Sequence, residues 1–133
     1  MTYFEDGSPY RYRSEFMKNA AVNVGWLDAS MPYQTGPVPD EFVRRLAELC
    51  RHGVNRTRGV HYCNLCPSPP GLDLPEPASI STPKGEAALG STEIRVDSLD
   101  GTRYAAPDLV IHYVREHGYR PPDGFVAAVF QGG

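Results

Sequence analysis

Three observations predict an α+β domain with a small antiparallel sheet, about three helices and a Cys/His zinc knuckle. Apolar residues recur at helical spacing in residues 39–53, 107–118 and 121–130. Apolar and polar residues alternate with period two in residues 21–28 and 92–105. His61, Cys63 and Cys66 then crowd into a single six-residue stretch, where two cysteines separated by two residues can turn their sulfurs toward one point.

The chain has 133 residues, of which 41% are hydrophobic, and a single domain over residues 1–133 is expected. Thirteen prolines and 13 glycines imply long, rigidly punctuated loops. A formal charge of −3 with interspersed signs argues against a surface that tracks phosphates, so neither nucleic acid nor a membrane is the expected partner. The N-terminus lacks a basic and then apolar leader, and no apolar run reaches membrane-spanning length, so a cytoplasmic location is expected. In that compartment the three cysteines read as thiols or metal ligands, and the Asn55-Arg56-Thr57 sequon carries little weight.

Tyr10 and Tyr12 would share a face in a short edge strand. In residues 21–28, Val22, Val24 and Trp26 alternate on one side, with Trp26 as a core anchor. Pro39 suits the first position of a helix in which Phe42, Leu46, Leu49 and Cys50 form one stripe, and Gly53 would stop it. Residues 67–90 are rich in proline, serine and glycine without apolar periodicity, and read as a long loop within the domain. A hairpin follows, with Thr92–Asp97 and Thr102–Ala105 joined through Asp100-Gly101. A second helix runs from Pro107 and Asp108 to His117 and stops at Gly118. A third begins at Pro121-Pro122 and turns Phe125, Val126, Val129 and Phe130 toward the core.

Zinc takes four nitrogen or sulfur ligands in a tetrahedron, and a C-x2-C knuckle supplies two of them. Cys63 and Cys66 are that pair. The others must come from His61, His112, His117, His52 or Cys50. His112 and His117 have the histidine spacing of finger-type sites, although residues 67–111 form a far longer separation than a finger allows. On an ideal helix, residues five apart are separated by about 140°, so both bind only if the last turn loosens. The expected set is therefore His61, Cys63, Cys66 and His112, with His117 in reserve, holding one structural zinc per chain. The plainer alternative has His117 facing the helix dipole, His112 as a hydrogen-bonded core histidine and the thiols simply buried. Cys50, on an apolar stripe, reads as core.

A dithiol redox site is disfavoured because the prolines after Cys66 prevent the helix such a site needs. A deaminase would require a glutamate two residues after its histidine, where Cys63 stands. A zinc hydrolase would have only Glu116 as a nearby base. Arg51, Arg56 and Arg58 form the one local basic cluster and read as solvated surface.

The phrases Tyr3-Phe4-Glu5-Asp6, Asn23-Val24-Gly25-Trp26-Leu27-Asp28, Gly59 through Cys66 and Ile111 through Pro122 resemble the landmarks of a family of small bacterial proteins built on a domain of unknown function. That resemblance implies a self-contained domain and contributes no activity. The expected function is a zinc-stabilised binding or adaptor domain with another protein as partner. Its alternatives are a zinc hydrolase or thiol enzyme, and a toxin-neutralising immunity protein.

Overall fold

In the computed structural model, residues 3–9, 21–54, 62–66, 78–83 and 85–131 are described. Along them run β1 (Val22–Asn23), α1 (Asp40–Arg51), β2 (Ser79–Thr82), β3 (Gly85–Ala88), β4 (Glu93–Asp97), β5 (Arg103–Pro107), α2 (Val110–His117) and α3 (Asp123–Phe130). Three helices and small sheets make an α+β fold, as expected.

The helical stripe of α1 buries Phe42, Leu46 and Cys50. Pro39 precedes the helix in extended conformation, and Asp40 and Glu41 in the first turn with Arg51 in the last complement the helix dipole. Its last bond runs from the His52 N–H to the Leu49 carbonyl. Gly53, just beyond, lies so close to Thr92 that any Cβ would collide with the Thr92 hydroxyl.

β4 and β5 pair antiparallel, from Glu93 opposite Pro107 to Asp97 opposite Arg103, and Gly101 makes the turn at φ +94°. Ile94 and Val96 face inward between half-buried Glu93 and Arg95, the alternation the sequence shows. β1 joins the other edge of β5 in parallel, with Val22 opposite Tyr104, so the three-stranded sheet is mixed in the order β1-β5-β4.

The strand expected over 21–28 is only two residues long. Gly25 at φ +79° breaks it, because Val110 packs against the backbone and leaves no room for a side chain. Trp26 and Leu27 are both buried, in separate clusters: Trp26 with Ala21 and Ala105, and Leu27 in the main core. Trp26 is the expected core anchor: it donates from Nε1 to the Ala105 carbonyl at 3.0 Å and meets Phe4 edge to face.

The second half of the expected 67–90 loop holds structure. β2 and β3 form a hairpin in register from Ser79 opposite Ala88 to Thr82 opposite Gly85, with Ile80 buried. A four-residue strand with one buried side chain produces no apolar period to detect. The expected Tyr10–Tyr12 edge strand, like residues 67–77, lies outside the described residues.

Helices α1, α2 and α3 close one core with the inner face of the sheet, centred on Phe42, Leu46, Val96, Val110, Tyr113 and Phe125. In α3, Phe125 and Val129 are buried and Val126 half-buried, as expected, but Phe130 is exposed and Ala128 takes the inner place. Phe130 instead lies beneath the Arg45 guanidinium at the helix end.

Candidate metal centre

Helix α2 is fixed at both ends. At its start Asp108 is buried and accepts the Gly90 N–H at 2.7 Å and the Thr92 hydroxyl at 2.8 Å, tying the helix entry to the segment before β4. Burial pushes the Asp108 carboxyl above its ordinary range despite these bonds. At its end Gly118 adopts φ +66°, and the Gly118 and Tyr119 N–H groups both donate to the Tyr113 carbonyl. The segment leaving α2 then bonds to the loop before α1, the Arg120 N–H donating to the Gln34 carbonyl at 2.9 Å and the Gly36 N–H to the Gly118 carbonyl at 3.2 Å. Between these anchors Val110, Ile111, Tyr113 and Val114 point inward, which leaves His112 and His117 half-buried at the edge of the core.

The knuckle arrives from the opposite side. Cys63 and Leu65 are half-buried against the core while Tyr62, Asn64 and Cys66 face outward. Asn64, between the two cysteines, pins this loop to the turn after β1. Its Oδ1 accepts the Ala29 N–H at 3.0 Å and its Nδ2 donates to Asp28 Oδ1 at 2.6 Å. The Ser30 hydroxyl and N–H, followed by the Asn64 amide, hold the Asp28 carboxyl down to about 2.

Cys66 Sγ lies 3.2 Å from His112 Nε2 and 3.3 Å from His117 Nε2, and Cys63 Sγ lies 3.4 Å from His117 Nε2. One ligand atom from each of Cys63, Cys66, His112 and His117 falls within 4.8 Å of every other, close enough to hold a metal ion. Around a tetrahedral zinc, with bonds of about 2.3 Å to sulfur and 2.0–2.1 Å to nitrogen, each sulfur-to-nitrogen edge is about 3.5 Å. The three observed edges approach that value.

Pairwise hydrogen bonding does not account for the arrangement as simply. A neutral imidazole nitrogen either donates one proton or offers one lone pair, whereas the single His117 Nε2 is approached by both sulfurs. A shared centre to which all four atoms point satisfies each with one bond. Burial pushes the Cys63 thiol up to about 11 and, together with His117, lowers His112. The histidine therefore keeps its lone pair available, and a dication supplies the charge that the half-buried Cys63 thiol needs in order to ionise.

Of the expected ligands, Cys63, Cys66 and His112 converge, and His61 lies outside the described residues. His117, held in reserve because an ideal helix would turn it away, completes the described cluster without any loosening of the last turn. Helix α2 runs through His117, and the two ring centroids lie 5.1 Å apart. Cys50 is buried in the core, where desolvation raises its pKa, and His52 pairs with Glu48 at 3.1 Å on the surface of α1. The contribution of Asn64 and Asp28 was not expected, because 36 residues separate them.

No helix among the described residues is long and apolar enough to cross a membrane. No curated protein and no solved structure is detectably similar to the chain. One family covers it almost end to end, the knuckle and α2 included: matched over residues 2–130, the chain belongs to the family described as domain of unknown function DUF7919.

Proposed function

We propose that the protein is a zinc-stabilised binding domain, in which one structural Zn2+ held by Cys63, Cys66, His112 and His117 fastens the knuckle to α2. The observation that carries this reading is the convergence of two sulfurs and two nitrogens from distant segments at separations near the edges of a zinc tetrahedron. Two thiolates and two imidazoles are the donor set zinc prefers over harder cations. Four protein ligands also close the coordination shell, which favours a structural over a catalytic centre.

The metal has a clear mechanical role. It joins the 62–66 loop to a helix 46 residues further on, and such links stabilise by restricting the unfolded chain. A loop held in this way presents a fixed outer surface, the property a binding module requires. Metal content of protein purified without added metal tests the first half of the reading. Recovery of a protein partner by the zinc-loaded chain, but not by a Cys63→Ser, Cys66→Ser variant, tests the second.

A further inference from the structure

Helix α1, the tip of the β2–β3 hairpin and Arg115 of α2 enclose a cleft of about 400 Å3. That volume falls in the range of small-ligand sites, about 300–1,000 Å3. Val43 and Ala47 of α1 and Pro83 at the hairpin tip supply an apolar lining, and Thr82 adds a hydroxyl. Two guanidiniums, Arg44 and Arg115, line the same space from different helices.

The two arginines differ in what they already hold. Arg44 pairs with Glu41 one turn earlier on the exposed face of α1, a contact of the weak surface kind that a ligand can redirect. Arg115 is exposed, and no ion pair to it is seen among the described residues. The one acid in the lining, Glu48, already takes His52 as partner. The cleft thus combines an apolar lining with an uncommitted planar cation, and guanidinium recognises carboxylate by two parallel hydrogen bonds.

We infer that this cleft binds a carboxylate attached to a small apolar body, with the carboxylate on Arg115 and the body over Val43, Ala47 and Pro83. The inference goes beyond the function proposed above: it names a separate ligand site, away from the 62–66 loop, and does not depend on the metal. The same chemistry is offered by a free short-chain carboxylic acid and by the C-terminal residue of a peptide, so the test has an arm for each.

The test uses the full-length protein as purified, its metal content measured in the same sample so that failure here is distinguishable from failure of the zinc reading. Hexanoate, and an Ala-Ala-Val peptide with a free C-terminus, are each titrated against backbone amide resonances, with hexanamide and the C-terminally amidated peptide as controls. Saturable shifts are expected at Val43–Glu48, Ser81–Pro83 and Arg115 in the millimolar range or below, with the amides binding at least about tenfold more weakly. Arg115→Gln should cost a similar factor, and Ala47→Leu, which fills the cleft while leaving Arg115 in place, should also abolish the shifts. Selective binding of hexanoate alone, of the free peptide alone, or of both supports the site and identifies its source. The inference is overturned if neither acid shows saturable shifts, if the amides bind as well as the acids, or if Arg115→Gln leaves binding unchanged.

Discussion

Asn64 donates to Asp28 at 2.6 Å, and this bond with its companion to the Ala29 N–H fixes the loop that carries both cysteines. The ligand atoms are therefore oriented before any metal arrives. Outer partners of this kind typically change metal affinity by about 10–100-fold when removed. Asn64→Ala is expected to weaken zinc binding by that order, measured by competition with a chromophoric chelator, while the metal-free protein unfolds at nearly the wild-type denaturant midpoint. Unchanged affinity would show that Leu65 and Cys63 packing alone positions the knuckle.

Phe42 is fully buried on α1 and meets Phe125 of α3 edge to face at 6.3 Å. Truncation to alanine leaves a cavity where three helices meet. Phe42→Ala should cost about 3–5 kcal/mol in chemical denaturation. The loss should be much the same with and without chelator, because the residue lies in the core and takes no part in the metal cluster.

Two glycines in the left-handed region separate backbone strain from crowding. At Gly118 (φ +66°) nothing lies within 4 Å of an added Cβ, so Gly118→Ala should cost only the left-handed penalty, about 1–2 kcal/mol. At Gly25 (φ +79°) the added Cβ comes within 2.7 Å of Val110 Cγ2, and Gly25→Ala should cost about 2–5 kcal/mol. Equal midpoints for the two variants in urea would refute the close approach of Val110.

Asp108 gives the fold a pH dependence. Burial raises its folded pKa above the unfolded value of about 3.8. The folded protein therefore keeps this proton to higher pH than the unfolded chain does. The stability it contributes is complete below the unfolded pKa and declines as the pH rises through the folded one. Over that window the stability difference between wild type and Asp108→Asn should move in favour of the variant, measured by urea denaturation at successive pH values. A difference that is flat or moves the other way contradicts the raised pKa.

The helices were legible because each has a physical start or stop written within a few residues: Pro39 with Phe42, Leu46 and Cys50, Gly118 at the end of α2, and Pro121-Pro122 with Phe125 and Val129; Pro107, expected to open the second helix, instead ends β5, and α2 begins at Val110. The β4–β5 hairpin was legible for the same reason, its Asp100-Gly101 turn lying between two alternating runs. β1 was overread because side-chain alternation does not reveal that Val110, some 85 residues away, requires a bare Cα at Gly25. The β2–β3 hairpin was missed because only Ile80 is buried in it. Its signal was Gly85, which adopts φ +114° at the start of β3.

At the site, the C-x2-C knuckle and His112 could be read locally. The role of His117 could not, since helical geometry gives the direction of Cβ and not the bend of an imidazole toward a shared point. The Asp28–Asn64 bond joins two loops, and loop-to-loop contacts carry no sequence period.

The most direct measurement is zinc stoichiometry by native mass spectrometry, paired with thermal melts before and after a strong chelator. One zinc per chain is expected, lost together in Cys63→Ser, Cys66→Ser, with a fall in melting temperature of more than about 10 °C on chelation. A chain that carries no metal, takes up none when offered zinc and melts at the same temperature with chelator would contradict the centre, leaving Cys63, Cys66, His112 and His117 as a hydrogen-bonded cluster.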